Sequence, residues 1–188
     1  MRRLELPPDE DDLRSLRAGD EVELWGDALT MRDAALKRLE AVLASGEEPP
    51  FDVSGQLVFH AGPTPPAAGR PTGSIGPTTS ARMDRFLEML FDLGVRTTLG
   101  KGPRSAEARA LHEARGAVYL AAVGGLGALY GGMVESMEPV AWEDLGPEAV
   151  YRVRLAGMPA FVAIDSRGED HLAKQYDSHR QKQCQHID

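Results

Sequence analysis

Apolar and polar positions first fall into a clear pattern at residues 21–25. There Val22 and Leu24 alternate with Glu21 and Glu23, which predicts a strand with one buried face. The period then changes. Ala34, Ala35, Leu39, Val42 and Leu43 form one helical stripe, and Gly46 supplies a stop. Thr30 followed by Asp33 resembles a capping box with Asp in place of Glu or Gln, so this helix is predicted to begin at Thr30. Before it, residues 1–20 read as a short strand, a break at Pro7-Pro8 and an acidic turn around residues 9–12. Beyond it, residues 56–61 form a short buried strand. A second helix is predicted from near Thr78, with Met83, Phe86, Leu87, Leu90 and Leu93 at helical spacing up to Gly94. Residues 95–99 read as a strand and 105–115 as a third helix. Residues 117–123, 133–140, 150–155 and 159–165 read as further strands, with a turn at Ser166-Arg167-Gly168. The whole reads as an α/β domain, a mixed sheet flanked by helices, over residues 1–172. A polar, poorly periodic tail follows over residues 173–188.

Length and composition narrow the function. A chain of 188 residues supports one ordinary domain with a real core. Its net charge of −8 argues against a general nucleic-acid or anionic-membrane surface, so any anion must bind in a local basic pocket. One cysteine, Cys184, excludes an internal disulfide and a cysteine-held cluster supplied by this chain alone. Met1-Arg2-Arg3 is followed by prolines and acids rather than an apolar segment, and the longest apolar run, residues 117–129, is too short and glycine-rich to span a bilayer. The cytoplasm is the expected compartment.

Three places put a cation where a helix is expected to start: Arg32, Arg82 just after Thr78, and Lys101 just before Ser105. Helix N-termini carry partial positive charge, so cations are unfavourable there unless an anion joins them. Three such places in one acidic domain point to a site for a multiply anionic small molecule. Residues 73–84 hold the richest local pattern. Glycines there permit close backbone approach, Pro77 fixes the entry, and Thr78 and Arg82, four residues apart, share a helical face. A hydroxyl beside a guanidinium suits carboxylate binding and proton transfer at a neighbouring carbon. The plainer alternatives are a capping Thr78, a surface Arg32 and Arg82, and a solvated turn lysine at Lys101. The loop over residues 62–77 is long, and loops of that length inside compact domains are usually functional. Residues 125–130 faintly match a dinucleotide fingerprint, but Tyr130 stands where a third small residue belongs, so close glycine packing is the default. The histidines form no spaced metal constellation, and Cys184 with His186 in the tail reads as chance.

These motifs also carry a resemblance. Arg32-Asp33-Ala34-Ala35, Gly76-Pro77-Thr78-Thr79 with Arg82-Met83-Asp84, and Gly100-Lys101-Gly102 resemble the beta subunit of class I fumarate hydratase and L-tartrate dehydratase. The same unit is the C-terminal domain of single-chain class I enzymes. Similarity continues through residues 142–149 and 159–165 and so covers about residues 10–172. The resemblance implies a swivelling β/β/α fold and a hydro-lyase acting on a dicarboxylate, fumarate/malate first and tartrate/oxaloacetate second. It implies a partner alpha subunit holding a 4Fe-4S cluster through three cysteines, with one iron open as a Lewis acid for the departing hydroxyl. It assigns proton transfer to Thr78, assisted by a carboxylate from the alpha subunit, and binding of the two substrate carboxylates to Arg32, Arg82 and Lys101. One residue departs from the family pattern: Leu36 stands where histidine is common after Arg-Asp-Ala-Ala. Two rival functions are a non-catalytic dicarboxylate-binding module and a nucleotide-binding enzyme built on residues 125–130.

Overall fold

The computed structural model describes residues 1–66 and 68–176. Its elements are β1 (Arg2–Leu6), α1 (Glu10–Ser15), β2 (Glu21–Thr30), α2 (Asp33–Ala44), β3 (Leu57–Phe59), a 3-10 segment (Ser80–Phe86) running into α3 (Leu87–Asp92), β4 (Thr97–Gly100), α4 (Ala106–Arg115), β5 (Val118–Ala121), α5 (Gly127–Gly131), β6 (Val134–Ala141), a second 3-10 segment (Glu143–Glu148) and β7 (Val150–Ile164). Residues 171–176 are helical, so the stretch expected to be tail begins inside a helix, and its remainder lies outside the described residues.

One long strand organises the sheet. β7 runs antiparallel along the whole of β2, from Glu21 opposite Phe161 to Thr30 opposite Tyr151. β1 and β3 therefore share the other edge of β2 in succession, both parallel to it. β3, β4 and β5 continue in parallel, and β5 pairs with the far end of β7. The circuit β2–β3–β4–β5–β7 returns to β2 and closes a five-stranded barrel, which β1 and β6 extend. Strand alternation divides the core accordingly. Leu24, Ala28, Leu57, Phe59, Leu99, Val118, Leu120, Val153 and Val162 belong to one buried cluster, the barrel interior. Intervening residues such as Leu29 and Val58 face outward and pack under α2 and the 3-10/α3 unit with Ala35, Leu36, Leu39, Phe86 and Leu90. Among the described residues, no helix is long and apolar enough to cross a membrane.

Several expectations are corrected. Residues 150–155 and 159–165 are one strand. Gly157 adopts φ 78° where the β2–β7 register slips, so the chain bulges rather than turns. The acidic residues 10–12 form the first turn of α1 instead of a loop. Asp9 caps that helix by accepting from the Asp12 N–H at 2.7 Å, and acids suit a helix N-terminus. Thr30 caps nothing. It ends β2, fully buried, where its hydroxyl accepts from the Tyr151 N–H at 3.1 Å, so the strand extends five residues further than its alternation suggested and α2 begins only at Asp33. The second helix likewise starts at Ser80, not Thr78, and its first turns are 3-10.

Two glycines separate backbone strain from steric fit. Gly26 and Gly46 both have positive φ, 119° and 79°, but a Cβ on Gly26 would stand 2.5 Å from the Leu6 carbonyl oxygen on β1, whereas one on Gly46 meets nothing within 4 Å. Gly46→Ala should cost about 1 kcal/mol from conformation alone. Gly26→Ala should cost at least about 2 kcal/mol, because β1 must shift as well. Urea unfolding of both variants measures the difference, and equal costs would contradict the β1–β2 packing.

Candidate functional site

The parallel strands β2, β3, β4 and β5 all point their C-terminal ends to one rim, where α/β folds collect ligand-binding groups. Each strand delivers a piece. After β2 come Arg32 and Asp33, after β3 His60 and the loop to Pro77, after β4 Lys101, and after β5 the glycines from Gly124. The segment 77–80 is strapped across this rim by backbone bonds. Thr78 N–H donates to the His60 carbonyl at 2.7 Å, Lys101 N–H to the Thr78 carbonyl at 3.1 Å, and Ser80 N–H to the Lys101 carbonyl at 3.0 Å. Gly100 is required beneath it, since a Cβ there would collide with Ser80 Oγ. Thr78 and Lys101, 23 residues apart in sequence, are thereby held as backbone neighbours.

The side chains form a connected row. Arg82 Nη2 donates to Thr78 Oγ1 at 2.7 Å and lies 3.1 Å from Asp33 Oδ2. Asp33 Oδ2 is also 3.5 Å from Arg32 Nε. Glu148 completes the row: Oε1 is 3.4 Å from Arg32 Nη2, and Oε2 accepts from the Ala34 N–H at 2.8 Å. That last bond explains how an arginine occupies the N-cap of α2. Arg32 makes no capping bond itself, so Glu148 arrives from the second 3-10 segment to satisfy the helix end and offset its charge. Asp33 is the sequence neighbour of Arg32, so that contact is local. Its contact with Arg82 and the whole contribution of Glu148 were not legible, because neither is local in sequence.

Lys101 differs from both arginines. Its side chain reaches over Gly124, whose Cβ would meet Lys101 Cδ at 3.2 Å, and it has no acidic partner within ion-pair distance among the described residues. It also does not start a helix. α4 begins at Ala106 with Ser105 as its cap, and Gly102 turns the chain in between at φ 78°. Thus Arg32, Thr78, Arg82 and Lys101 are brought to one rim, linked by ion pairs and backbone pairing, although only Arg32 stands at a helix N-cap. Thr78 is not a cap, so its hydroxyl is left to Arg82. A guanidinium donating to a hydroxyl oxygen favours negative charge on that oxygen.

Beneath the strap lies a network that sequence patterns did not single out. Arg104 is fully buried in its side chain and pairs with Asp84 Oδ1 at 2.6 Å; Asp84 Oδ2 also accepts from the Ser105 N–H at 2.9 Å. Arg104 further donates to the Ser80 carbonyl, to Thr98 Oγ1 and to His60 Nε2, and its guanidinium carbon lies 4.5 Å from the Tyr119 ring centre. His60 therefore accepts at Nε2 and donates from Nδ1 to the Met31 carbonyl at 3.0 Å, which fixes its tautomer. Burial first, then the Arg104 charge, lowers His60 to about 3; the same causes lower His112, also to about 3. Both are neutral at pH 7. The Met83 and Phe86 spacing on the 3-10 segment announced its buried face, but a lone Arg104 in a Gly-Pro-Arg-Ser turn looks solvent-bound until the fold covers it.

Gly127 and Gly131 serve close packing, whereas Gly125 turns the chain at φ 85° with nothing against it. A Cβ on Gly127 would sit 3.4 Å from Gly76 Cα, and one on Gly131 would strike the Gly73 carbonyl, while Ile75 N–H donates to the Gly127 carbonyl. α5 is only five residues long. Leu36, at the position that departs from the family pattern, is completely buried between α2 and the sheet and does not line the row of charged groups. Around the rim, Val123, Leu126 and Leu129 are exposed apolar side chains. An apolar cavity of about 380 Å³ lies beside them, with Ala121, Phe161 and Leu172 in its wall and none of the four candidate site residues. Among the described residues no group of three His, Cys, Asp or Glu side chains is placed to hold a metal ion, and Cys184 lies outside them.

A family model described as Fumarase C-terminus matches residues 2–175. The chain is 33% identical over 151 residues to the anaerobic class I fumarate hydratase of Escherichia coli K12, and 34% identical over 151 residues to mitochondrial fumarate hydratase 1 of Leishmania major. Each match covers 79% of this chain but 28% of the relative, so the chain spans under a third of those enzymes. A protein of Methanocaldococcus jannaschii, provisionally named L(+)-tartrate dehydratase subunit beta, is 38% identical over 163 residues, 84% of both chains.

Two outcomes test the buried network. Arg104→Met strands Asp84, His60 and Thr98 without their donor and should cost about 3–5 kcal/mol in urea unfolding; a cost below about 1 kcal/mol would contradict the network. Across pH 3–6.5 the unfolded chain binds more protons than the folded one at His60 and His112, so stability falls as pH is lowered from 6.5. Between pH 7 and pH 5 each histidine should account for roughly 2 kcal/mol of loss. His112→Gln should reduce the pH-dependent loss by about that amount, measured against the unchanged chain.

Proposed function

The chain belongs to the Fumarase C-terminus family, and from that premise we propose that it is the beta subunit of a hydro-lyase that adds water to, or removes it from, a dicarboxylate. The observation that carries the proposal is the linked row Arg32–Asp33–Arg82–Thr78, with Lys101 beside it and without an acid of its own. In this reading Lys101 and Arg32 take the two substrate carboxylates. Arg82 contributes to one of them while polarising Thr78. A guanidinium has five donors, so the Asp33 and Thr78 contacts do not exhaust it. Asp33 and Glu148 aim the arginines and keep the rim from being an uncompensated cluster of positive charge.

Thr78 Oγ1 exchanges a proton with the carbon next to the one bearing the hydroxyl. A threonine hydroxyl is a weak base, so this role requires an acceptor for its own proton. Among the described residues Thr78 accepts from Arg82 but donates to no side chain. The missing acceptor fits a carboxylate from a partner alpha subunit, which in this proposal also carries the 4Fe-4S cluster, since the described residues of this chain offer no set of ligands for it. Exposed Val123, Leu126 and Leu129 at the rim suit a covered surface in the assembled enzyme. The closed barrel with its flanking helices accommodates the swivelling β/β/α description of the domain. Fumarate/malate is the first substrate pair. Tartrate/oxaloacetate is the second, favoured by the relative that matches over 84% of both chains.

The test is Thr78→Ala in the complex with its cluster-bearing partner, prepared anaerobically and followed by fumarate absorbance. Turnover should fall at least about 100-fold, with KM changed only a few-fold. Unchanged turnover would remove Thr78 from the reaction, and a change confined to KM would make it a binding residue only.

A further inference from the structure

The opposite end of the barrel holds a second concentration of positive charge. Arg96 and Gly116 precede β4 and β5, so they mark the N-terminal ends of strands whose C-terminal ends carry the candidate site. Between them, α1 and the turn after β7 lies a cavity of about 340 Å³, and four of its eight lining residues are arginines: Arg14, Arg96, Arg115 and Arg167. They come from four separate parts of a chain whose net charge is −8. The wall has one carboxylate, Glu10.

Their present partners leave charge uncompensated. Arg14 pairs with Glu10 at 2.8 Å, and Arg115 with Asp92 from outside the wall at 2.6 Å. Arg96, half-buried, donates to the carbonyls of Phe91 and Val95, both at 2.7 Å, and Arg167 to the carbonyl of Arg14 at 3.2 Å; neither has a carboxylate within ion-pair distance among the described residues. Carbonyl anchors fix a guanidinium in place without neutralising it. The C-terminal ends of α3 and α4 nearby contribute roughly half a negative charge each, less than the two unpaired arginines supply. Glu113 lies close to Gly168 but outside the wall.

We infer that this cavity is a binding site for a small phosphate-bearing anion, separate from the dicarboxylate site and independent of its chemistry. A carboxylate fills one guanidinium fork, whereas a phosphate offers three strong acceptor oxygens and nearly two charges, and so engages several arginines that converge from different directions. The volume lies within the range of small-molecule sites.

Calorimetry on the intact chain with pyrophosphate at low salt tests the site, with citrate and malate as carboxylate probes. Saturable binding of one pyrophosphate per chain is expected, weakening steeply as salt is raised. Arg96→Gln combined with Arg167→Gln should weaken it by about tenfold or more. Because Arg96 also holds two carbonyls, Arg14→Gln with Arg167→Gln, both on exposed side chains, provides a second variant in which the same loss must appear. Lys101→Ala should leave pyrophosphate binding unchanged. Binding weaker than about 1 mM, binding indifferent to both arginine pairs, or binding abolished by Lys101→Ala overturns the site. Citrate or malate bound in preference to pyrophosphate, with that binding lost in both arginine pairs and kept in Lys101→Ala, overturns the phosphate assignment.

Discussion

Everything at the candidate site depends on the pairing of β7 along the full length of β2. That single antiparallel seam turns an open parallel sheet into a closed barrel and leaves β2 only one free edge, which β1 and β3 divide between them. With the circuit closed, β2, β3, β4 and β5 cannot slide relative to one another without breaking the seam or the β5–β7 pairing. Their C-terminal ends become a rim of fixed spacing. Residues that are far apart in sequence, such as Asp33 at the start of α2 and Arg82 in the first 3-10 segment, can then meet at 3.1 Å.

A second layer of order lies under the rim. The strap 77–80 has no strand of its own, and its backbone is satisfied by the ends of β3 and β4. Arg104 holds the same elements from below, through Ser80, His60 and Asp84. A buried ion pair is not in itself a gain in stability, since desolvation offsets much of its attraction. Its effect here is geometric. The arginine is a rigid planar fork with defined donor directions, so it fixes the relative placement of β3, β4 and the first turn of the 3-10 segment. Thr78 therefore presents its hydroxyl from a backbone anchored on three sides, the preorganisation that the proposed proton transfer requires.

Much of this was legible in the sequence. The period-two strand, the apolar stripe of α2 and the third helix expected over residues 105–115 all follow local rules that tertiary structure left intact. The acidic turn of α1 was missed although its Asp9 cap is local, but two other failures share one cause: local signals gave way to distant partners. Thr30 looks like a cap, but Tyr151 claims its hydroxyl. The interval between residues 155 and 159 reads as a break between two strands, but β2 holds the chain extended on either side and tolerates a bulge there. For the site, the cations and Thr78 could be chosen from their residue types, spacing and family resemblance. Glu148 and Arg104 could not, because their roles exist only once segments more than twenty residues away close on them.

In the proposed function this chain provides one wall of a shared site: cations and a proton-handling hydroxyl without the remaining groups. Calorimetric titration of malate into the isolated chain, and into its complex with a cluster-bearing partner, decides whether the site is shared. No saturable binding by the isolated chain, and saturable binding by the complex that is lost on Lys101→Ala, is the predicted result. Tight malate binding by the isolated chain, unaffected by the partner, would contradict it and identify a self-sufficient binding module instead.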